Sequence, residues 1–469
     1  MATNEQLSQA AVLSGRAKLA AVTALVDELR QDLSAANLPP QQRDAALEEL
    51  KIYGRDPRDA GPIFAKEGIE MLTRHAFNSS SSTTSRNALR VLCNALFLDS
   101  KCRQMFVDLG YEPKACDKLK NDGRDDEFLI SRLIFLLTYG TSVNLVDLIN
   151  KHQLADSICK NLERQAKYYS ENASTTDPMQ EMSLVETAKL LFNVTHFCED
   201  KRPSFTPAIP HLVSLLCKAS FKPAKPLDPP IGPLVNALSN LDLGDKDVQA
   251  AFFPEVDPCV LSNRLINLLS DSRSAYDETS LEPTIPPLLG VLRVLHEHAP
   301  SGVRTSMRQK LLPTEADRNE VLGRSASLPS WLLKTSTNAT SPELRDTISL
   351  LLFDLSDQDA GKFVENVGYG FASGFLYNRN IPIPPSADEA FSNEEGRRPI
   401  NPVTGQFLDS ERPIEGPEMT EEEREREAER LFVLFERLRA NGVISVENPM
   451  RTAVEEGRFE ELPDDEEVD

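Results

Sequence analysis

Three pairs of polar residues recur at one spacing along the chain: Arg90 with Asn94, Lys189 with Asn193, and Asn236 with Asn240. Residues four apart share one face of a helix. An asparagine carboxamide donates and accepts, so a row of them suits the backbone of a bound segment. Arg90 and Lys189 beside them would attract carboxylates, a chain terminus included. The chemistry this predicts is recognition of another polypeptide, with no covalent bond made or broken. The alternative is that each asparagine caps a neighbouring helix end internally, and spacing alone leaves both open.

A second basic set lies in RTSMRQK (304–310), where Arg304 and Arg308 are four apart with Lys310 nearby. Facing it in composition are Ser386 and Ser392, each with a glutamate three positions on, Glu389 and Glu395. That context suits an acidophilic kinase, and a phosphate would add about −1.5 to −2 charges able to pair with an arginine cluster. The plain reading is an unmodified linker and a solvated basic turn.

Motifs for covalent chemistry are absent: no GxxxxGK[ST], no HExxH, no GxSxG and no kinase set occurs. The seven cysteines include no CxxC pair, and Cys93 and Cys217 fall inside apolar periodic runs. Reduced, buried thiols are expected, with no metal site and no cofactor. Of the six histidines only His296 and His298 are close, and an i,i+2 spacing puts them on different sides of a helix.

With 51 Lys and Arg against 73 Asp and Glu, the net charge is −22, a poor basis for gripping phosphate backbones. Residues 386–469 hold 25 Asp and Glu against 10 Arg and no Lys, a net of −15, so residues 1–385 carry only −7. No stretch approaches the ~20 apolar residues of a membrane helix. The N-terminus lacks the pattern of a signal peptide. No direct membrane insertion is expected.

The elements that must position these residues are helices. Apolar residues recur at i, i+3, i+4 and i+7 in ALRVLCNALF (88–97), LISRLIFLLTYG (129–140), ETAKLLFNVTHF (186–197), IGPLVNALSNL (231–241), PPLLGVLRVLHEH (286–298) and LRDTISLLLFDLS (344–356). Aligning them on Asn94, Thr138, Asn193, Asn240, His296 and Asp354 gives intervals of 44, 55, 47, 56 and 58 residues. A period above 40, stretched by insertions, predicts an all-α armadillo/HEAT-type helical-repeat superhelix over residues 1–385. A non-repetitive helical domain is the alternative. SSSSTTS (79–85), SFKPAKPLDPP (220–230) and SLPSW (327–331) read as loops between helices. The glycine-rich GYGFASG (368–374) reads as a helix terminator or close-packing turn, since no strand precedes it.

Residues 386–418 read as a flexible acidic linker rich in proline, 419–446 as a C-terminal amphipathic helix, and 447–469 as an acidic tail. Thr420 with Glu423 has the form of a capping box. Leu431, Phe432, Phe435 and Leu438 draw one apolar stripe. A helix placed after a linker suits docking to a partner; folding back on the array is the alternative.

VLCNALF, KLLFNVTHF, QKLLP, FVENVGYGFASGFL, NPVTG and EGPEMTEEEREREAERLFVLFERLRANGVI follow in order. In these motifs the chain, roughly from 40 to 445, resembles the synembryn family (resistance to inhibitors of cholinesterase). The resemblance implies cytosolic proteins that bind Gα subunits of heterotrimeric G proteins. It implies receptor-independent nucleotide exchange on Gα and chaperoning of new Gα. The implied fold is an armadillo/HEAT solenoid whose concave groove takes the Gα C-terminal helix. The family's own C-terminal helix is implied to engage the Ras-like domain of Gα near its switch elements. Asn94 matches a groove asparagine, and Lys51 and Arg55 in LKIYGRD match basic groove residues, Lys51 standing where animal members have arginine. Phosphorylation of the acidic linker is also implied, with Ser386 and Ser392 the local candidates. The competing reading is a general armadillo-type adaptor for basic segments, which the acidic balance favours. Either is a non-enzymatic binder, expected as a cytoplasmic monomer, in the first case drawn to the cell cortex through Gα.

Overall fold

The computed structural model describes residues 13–411 apart from 36, 173–176, 222, 383–397, 399 and 402–403, together with Thr420, Arg426, Arg430 and Val433. Chain contacts divide it into two units, Met1–Ser410 and Glu411–Asp469. The first is all-α and helical-repeat in organisation, with an isolated antiparallel bridge between Ile400 and Phe407.

Seven helices form a continuous stack, each packed on the next: Pro40–Tyr53 (α1), Ser82–Leu98 (α2), Arg124–Leu137 (α3), Pro178–Phe197 (α4), Ile231–Ser239 (α5), Pro286–His298 (α6) and Pro342–Leu355 (α7). The six Leu-rich segments aligned by sequence all fall in or at the ends of α2–α7. A second layer backs the stack, in which Leu154–Glu171, Ile209–Lys218, Val260–Ala275 and Ser301–Leu311 pack in succession. Neither layer can bury its apolar stripe alone, so the core is one seam running from Val22 to Leu376.

The boundaries follow from capping chemistry. Four stack helices open on proline (Pro40, Pro178, Pro286, Pro342), whose missing N–H costs nothing in the first turn. Ser81, Asp177 and Ser327 accept hydrogen bonds from backbone N–H groups of the turns they start. This corrects two loop expectations. Ser82–Ser85 and Leu328–Trp331 are helical, because serine runs that look like loops here supply caps and tolerated first turns. Gly368 takes φ 82 and ends one helix at Val367, as a terminating glycine should, but residues 369–374, read with it as a terminator or turn, lie inside the next helix, Tyr369–Asn378.

The described residues of 398–410, assigned by composition to the linker, instead pack into the first unit. The Phe407 N–H donates to the Arg318 carbonyl at 2.9 Å and the Leu322 N–H to the Thr404 carbonyl at 3.3 Å. In the second unit Arg426, Arg430 and Val433 are helical and Thr420 precedes the helix, within the stretch expected to be one. Leu431, Phe432, Phe435 and Leu438, and the serines Ser386 and Ser392, lie outside the described residues.

Candidate functional site: the edge of the helical stack

Four arginines of the stack are spent between helices. Arg86 donates to Asp126 at 2.8 Å and Arg90 to Asp125 at 3.0 Å, tying α2 to α3. Arg132 lies 3.6 Å from Glu186, tying α3 to α4. Arg293 donates to Asp354 at 2.6 Å, tying α6 to α7. Burial opposes ionisation of Asp126, yet hydrogen bonds from Arg86 and Asn121 hold its carboxyl below the usual range. Lys189 shares Glu186 with Arg132, at 3.2 Å. Arg90 and Lys189 thus reach solvent as halves of ion pairs, and the free positive row expected from spacing is not found.

The asparagines divide. Asn193 is 4% exposed and its Nδ2 donates to Thr138 Oγ1 at 2.7 Å, so it bolts α4 to the end of α3. Asn240 caps α5 and its Nδ2 donates to the Phe192 carbonyl of α4 at 3.1 Å. Asn94 and Asn236 are half-buried, and neither amide has a side-chain partner among the described residues. Lys51, in the last turn of α1, is half-buried and Arg55 is exposed, both likewise without partners among those residues. Of the eight groove candidates, these four are the donors left for a ligand.

The loop bearing Arg55 is fixed from beneath. The buried Lys18 ammonium donates to the Asp56 and Arg58 carbonyls at 2.9 and 2.6 Å. Asp56 also pairs with Arg58 at 2.6 Å, and those hydrogen bonds draw its carboxyl down to about 2.

Aromatic side chains that the spacing did not single out stand at the ends of successive stack helices. Phe97, Tyr139 and Phe197 are 57%, 43% and 52% exposed. Arg132 covers the Phe97 ring at 5.5 Å, Phe135 meets Tyr139 edge-on at 5.3 Å, and His196 meets Phe197 at 5.1 Å. Exposed aromatic side chains are a mark of protein-binding surfaces. The sequence signal was present, since Phe97 and Phe197 close their aligned segments, but periodicity assigns such positions to the core.

Arg304, Arg308 and Lys310 share the helix Ser301–Leu311 but serve three neighbours. Arg304 donates to the Glu297 and Ala299 carbonyls at 2.7 and 2.9 Å, capping α6. Arg308 pairs with Asp357, and Lys310 donates to Asn263 at 2.5 Å. No three His, Cys, Asp or Glu side chains among the described residues are grouped to hold a metal. Burial pushes the Cys93, Cys102, Cys116 and Cys159 thiols up to about 12, which leaves them inert as nucleophiles. No helix among the described residues is long and apolar enough to cross a membrane.

The family described as guanine nucleotide exchange factor synembryn matches residues 46–458. A synembryn-like chaperone of Schizosaccharomyces pombe is 27% identical, over 72% of this chain and 66% of that one. The protein named chaperone Ric-8A is 26% identical in Macaca fascicularis, over 89% of this chain and 84% of that one. In Danio rerio it is also 26% identical, over 87% and 82%. A match that runs from within α1 through the rest of the stack, the segment 398–410 and the tail beyond makes this chain a member of the synembryn family of guanine nucleotide exchange factors.

Proposed function

We propose that this protein is a receptor-independent guanine nucleotide exchange factor and folding chaperone for Gα subunits of heterotrimeric G proteins. The observation that carries the reading is the family match across residues 46–458. The stack supports it by leaving Lys51, Arg55, Asn94 and Asn236 without side-chain partners among the described residues. In this reading the Gα C-terminal helix lies along the groove of the stack, its terminal carboxylate drawn to Lys51 and Arg55. Lysine supplies a point charge there, where arginine would grip a carboxylate with two bonds. The chain's own tail helix, through Leu431, Phe432, Phe435 and Leu438, engages the Ras-like domain. The protein works in the cytoplasm as a monomer and reaches the cell cortex through Gα.

Exchange needs no covalent step. A surface that binds nucleotide-free Gα more tightly than the filled form lowers nucleotide affinity by the same factor. A thousandfold effect requires ~4 kcal/mol of differential binding. GTP then restores the competing conformation and releases Gα. Holding a partly open Gα also shields apolar surface that would aggregate, which is chaperoning. Phosphorylation of Ser386 or Ser392 by an acidophilic kinase would strengthen the complex if the phosphate displaced Asp357 from Arg308.

The test is GDP release from purified Gα with and without the full-length chain, phosphorylated and not. Acceleration supports the reading; none with any Gα class discards it. A general adaptor for basic segments would instead capture Lys/Arg-rich peptides and ignore Gα.

A further inference from the structure

The loop of residues 54–60 carries Arg55 between α1 and the short helix Gly61–Phe64, and the helix Gly15–Ala35 packs on both. Upstream, the buried Gly54 caps α1, its N–H donating to the Leu50 carbonyl at 2.8 Å. The Arg55 N–H donates to the Ile52 carbonyl at 3.3 Å. Downstream, two groups of the helix Gly15–Ala35 grip the loop. Lys18 Nζ donates to the Asp56 and Arg58 carbonyls at 2.9 and 2.6 Å, and the Gly15 N–H donates to Asp59 Oδ2 at 2.9 Å. The Arg55 backbone is thus held from both sides while its side chain stays exposed. Lys18 is 6% exposed and makes no ion pair among the described residues. A buried ammonium without a carboxylate is costly, and a methionine of similar reach would pack there without that cost. What the charge adds is a fixed loop, two carbonyls tied to one point.

We propose that the helix Gly15–Ala35, which lies outside the matched residues 46–458, is a working part of the peptide groove, with Lys18 a positioning residue that holds Arg55 ready for the carboxylate of the bound segment; this rests on the function proposed above. A recognition group ordered before its ligand arrives binds more tightly, because less freedom is lost on binding. Released from Lys18, the loop keeps the Arg55 guanidinium but not its place, so affinity for the segment falls about fivefold.

The experiment titrates the full chain with a synthetic peptide of the Gα C-terminus, once as the free acid and once amidated. Lys18→Met should bind the free acid about fivefold more weakly than the native chain. Asp59→Gly removes the second clip at φ 57, where glycine is unstrained, and should weaken binding in the same direction. In an Arg55→Ala background, and with the amidated peptide, Lys18→Met should change affinity by less than about 1.5-fold. A lysine that only supports the fold would weaken every combination alike. The proposal is overturned if Lys18→Met and Asp59→Gly both bind the free acid like the native chain. It is equally overturned if Lys18→Met loses the same factor whether Arg55 is present or replaced. Either result, with the native chain binding the peptide, leaves the functional reading standing. A native chain that speeds GDP release without binding the peptide sinks the proposal alone; one that does neither sinks both.

Discussion

Asn193 of α4 donates through Nδ2 to the Thr138 hydroxyl at the end of α3, 2.7 Å away and shielded from water. Asn94, at the aligned position of α2, has no such partner among the described residues. In the proposed function, one sequence feature would thus hold two jobs. Asn193→Ala should cost about 1 kcal/mol, because it removes a part-buried hydrogen bond between helices while the Thr138 hydroxyl keeps the Phe135 carbonyl as its acceptor. Asn94→Ala should stay within about 0.5 kcal/mol and weaken binding of the Gα peptide. Urea unfolding and peptide titration on both variants separate the roles.

Charge reversal should divide in the same way. Lys51→Glu and Arg55→Glu break no ion pair among the described residues, so Tm should barely move while peptide affinity falls tenfold or more. Lys189→Glu instead sets a carboxylate against Glu186, which is 5% exposed and already shared with Arg132. Its Tm should fall by several degrees. A Lys189→Glu chain as stable as the native one would show that the Glu186 pairing contributes little.

Glu127 is the most demanding buried charge in the stack. At 0% exposure it accepts from Arg164 at 2.7 Å, Gln165 at 3.0 Å and Thr187 at 2.8 Å, joining α3, α4 and the helix Leu154–Glu171. Glu127→Ala leaves three donors facing a cavity and should cost about 3–5 kcal/mol. Glu127→Gln keeps the shape but turns one accepting oxygen into an NH2 that faces other donors, so it should also lose stability, though less than Glu127→Ala, which opens the cavity as well. Equal losses for the two would mean that the cavity adds nothing to the loss of the carboxylate.

The stack was legible because its helices repeat one apolar pattern, and Leu89, Leu133, Leu190, Leu234 and Leu292 are all buried where that pattern puts them. The packing of the described residues of 398–410 was not, since Asn401, Gly405 and Phe407 carry no period and gain their meaning from Arg318, which stands 87 residues before Gly405. Polar residues were legible as facing between helices but not as to which were used up. Whether Arg90 is a free cation depends on Asp125, on another helix at a separation no periodicity encodes. Exposed Phe97 and Phe197 were not singled out for a related reason: an apolar residue one turn beyond the buried stripe looks like part of it.

Acid should loosen the C-terminal half of the stack through His296. The imidazole is 4% exposed and its Nε2 has no hydrogen-bond partner among the described residues. Burial, then the nearby Arg308 and Arg304, draw its pKa down to about 4 against the pull of Asp354 and Asp357. The unfolded chain therefore takes up this proton first as pH falls below about 6.5, and the folded chain only near 4. Stability from this group is whole at pH 7 and shrinks across that window, by up to roughly 2–3 kcal/mol. His75 and His211 are lowered by burial too and act in the same direction. His296→Gln should therefore flatten the loss between pH 7.5 and 5 without abolishing it, as read by urea midpoints at the two pH values. If the variant lost as much stability as the native chain over that interval, His296 would have to be protonated in the folded state.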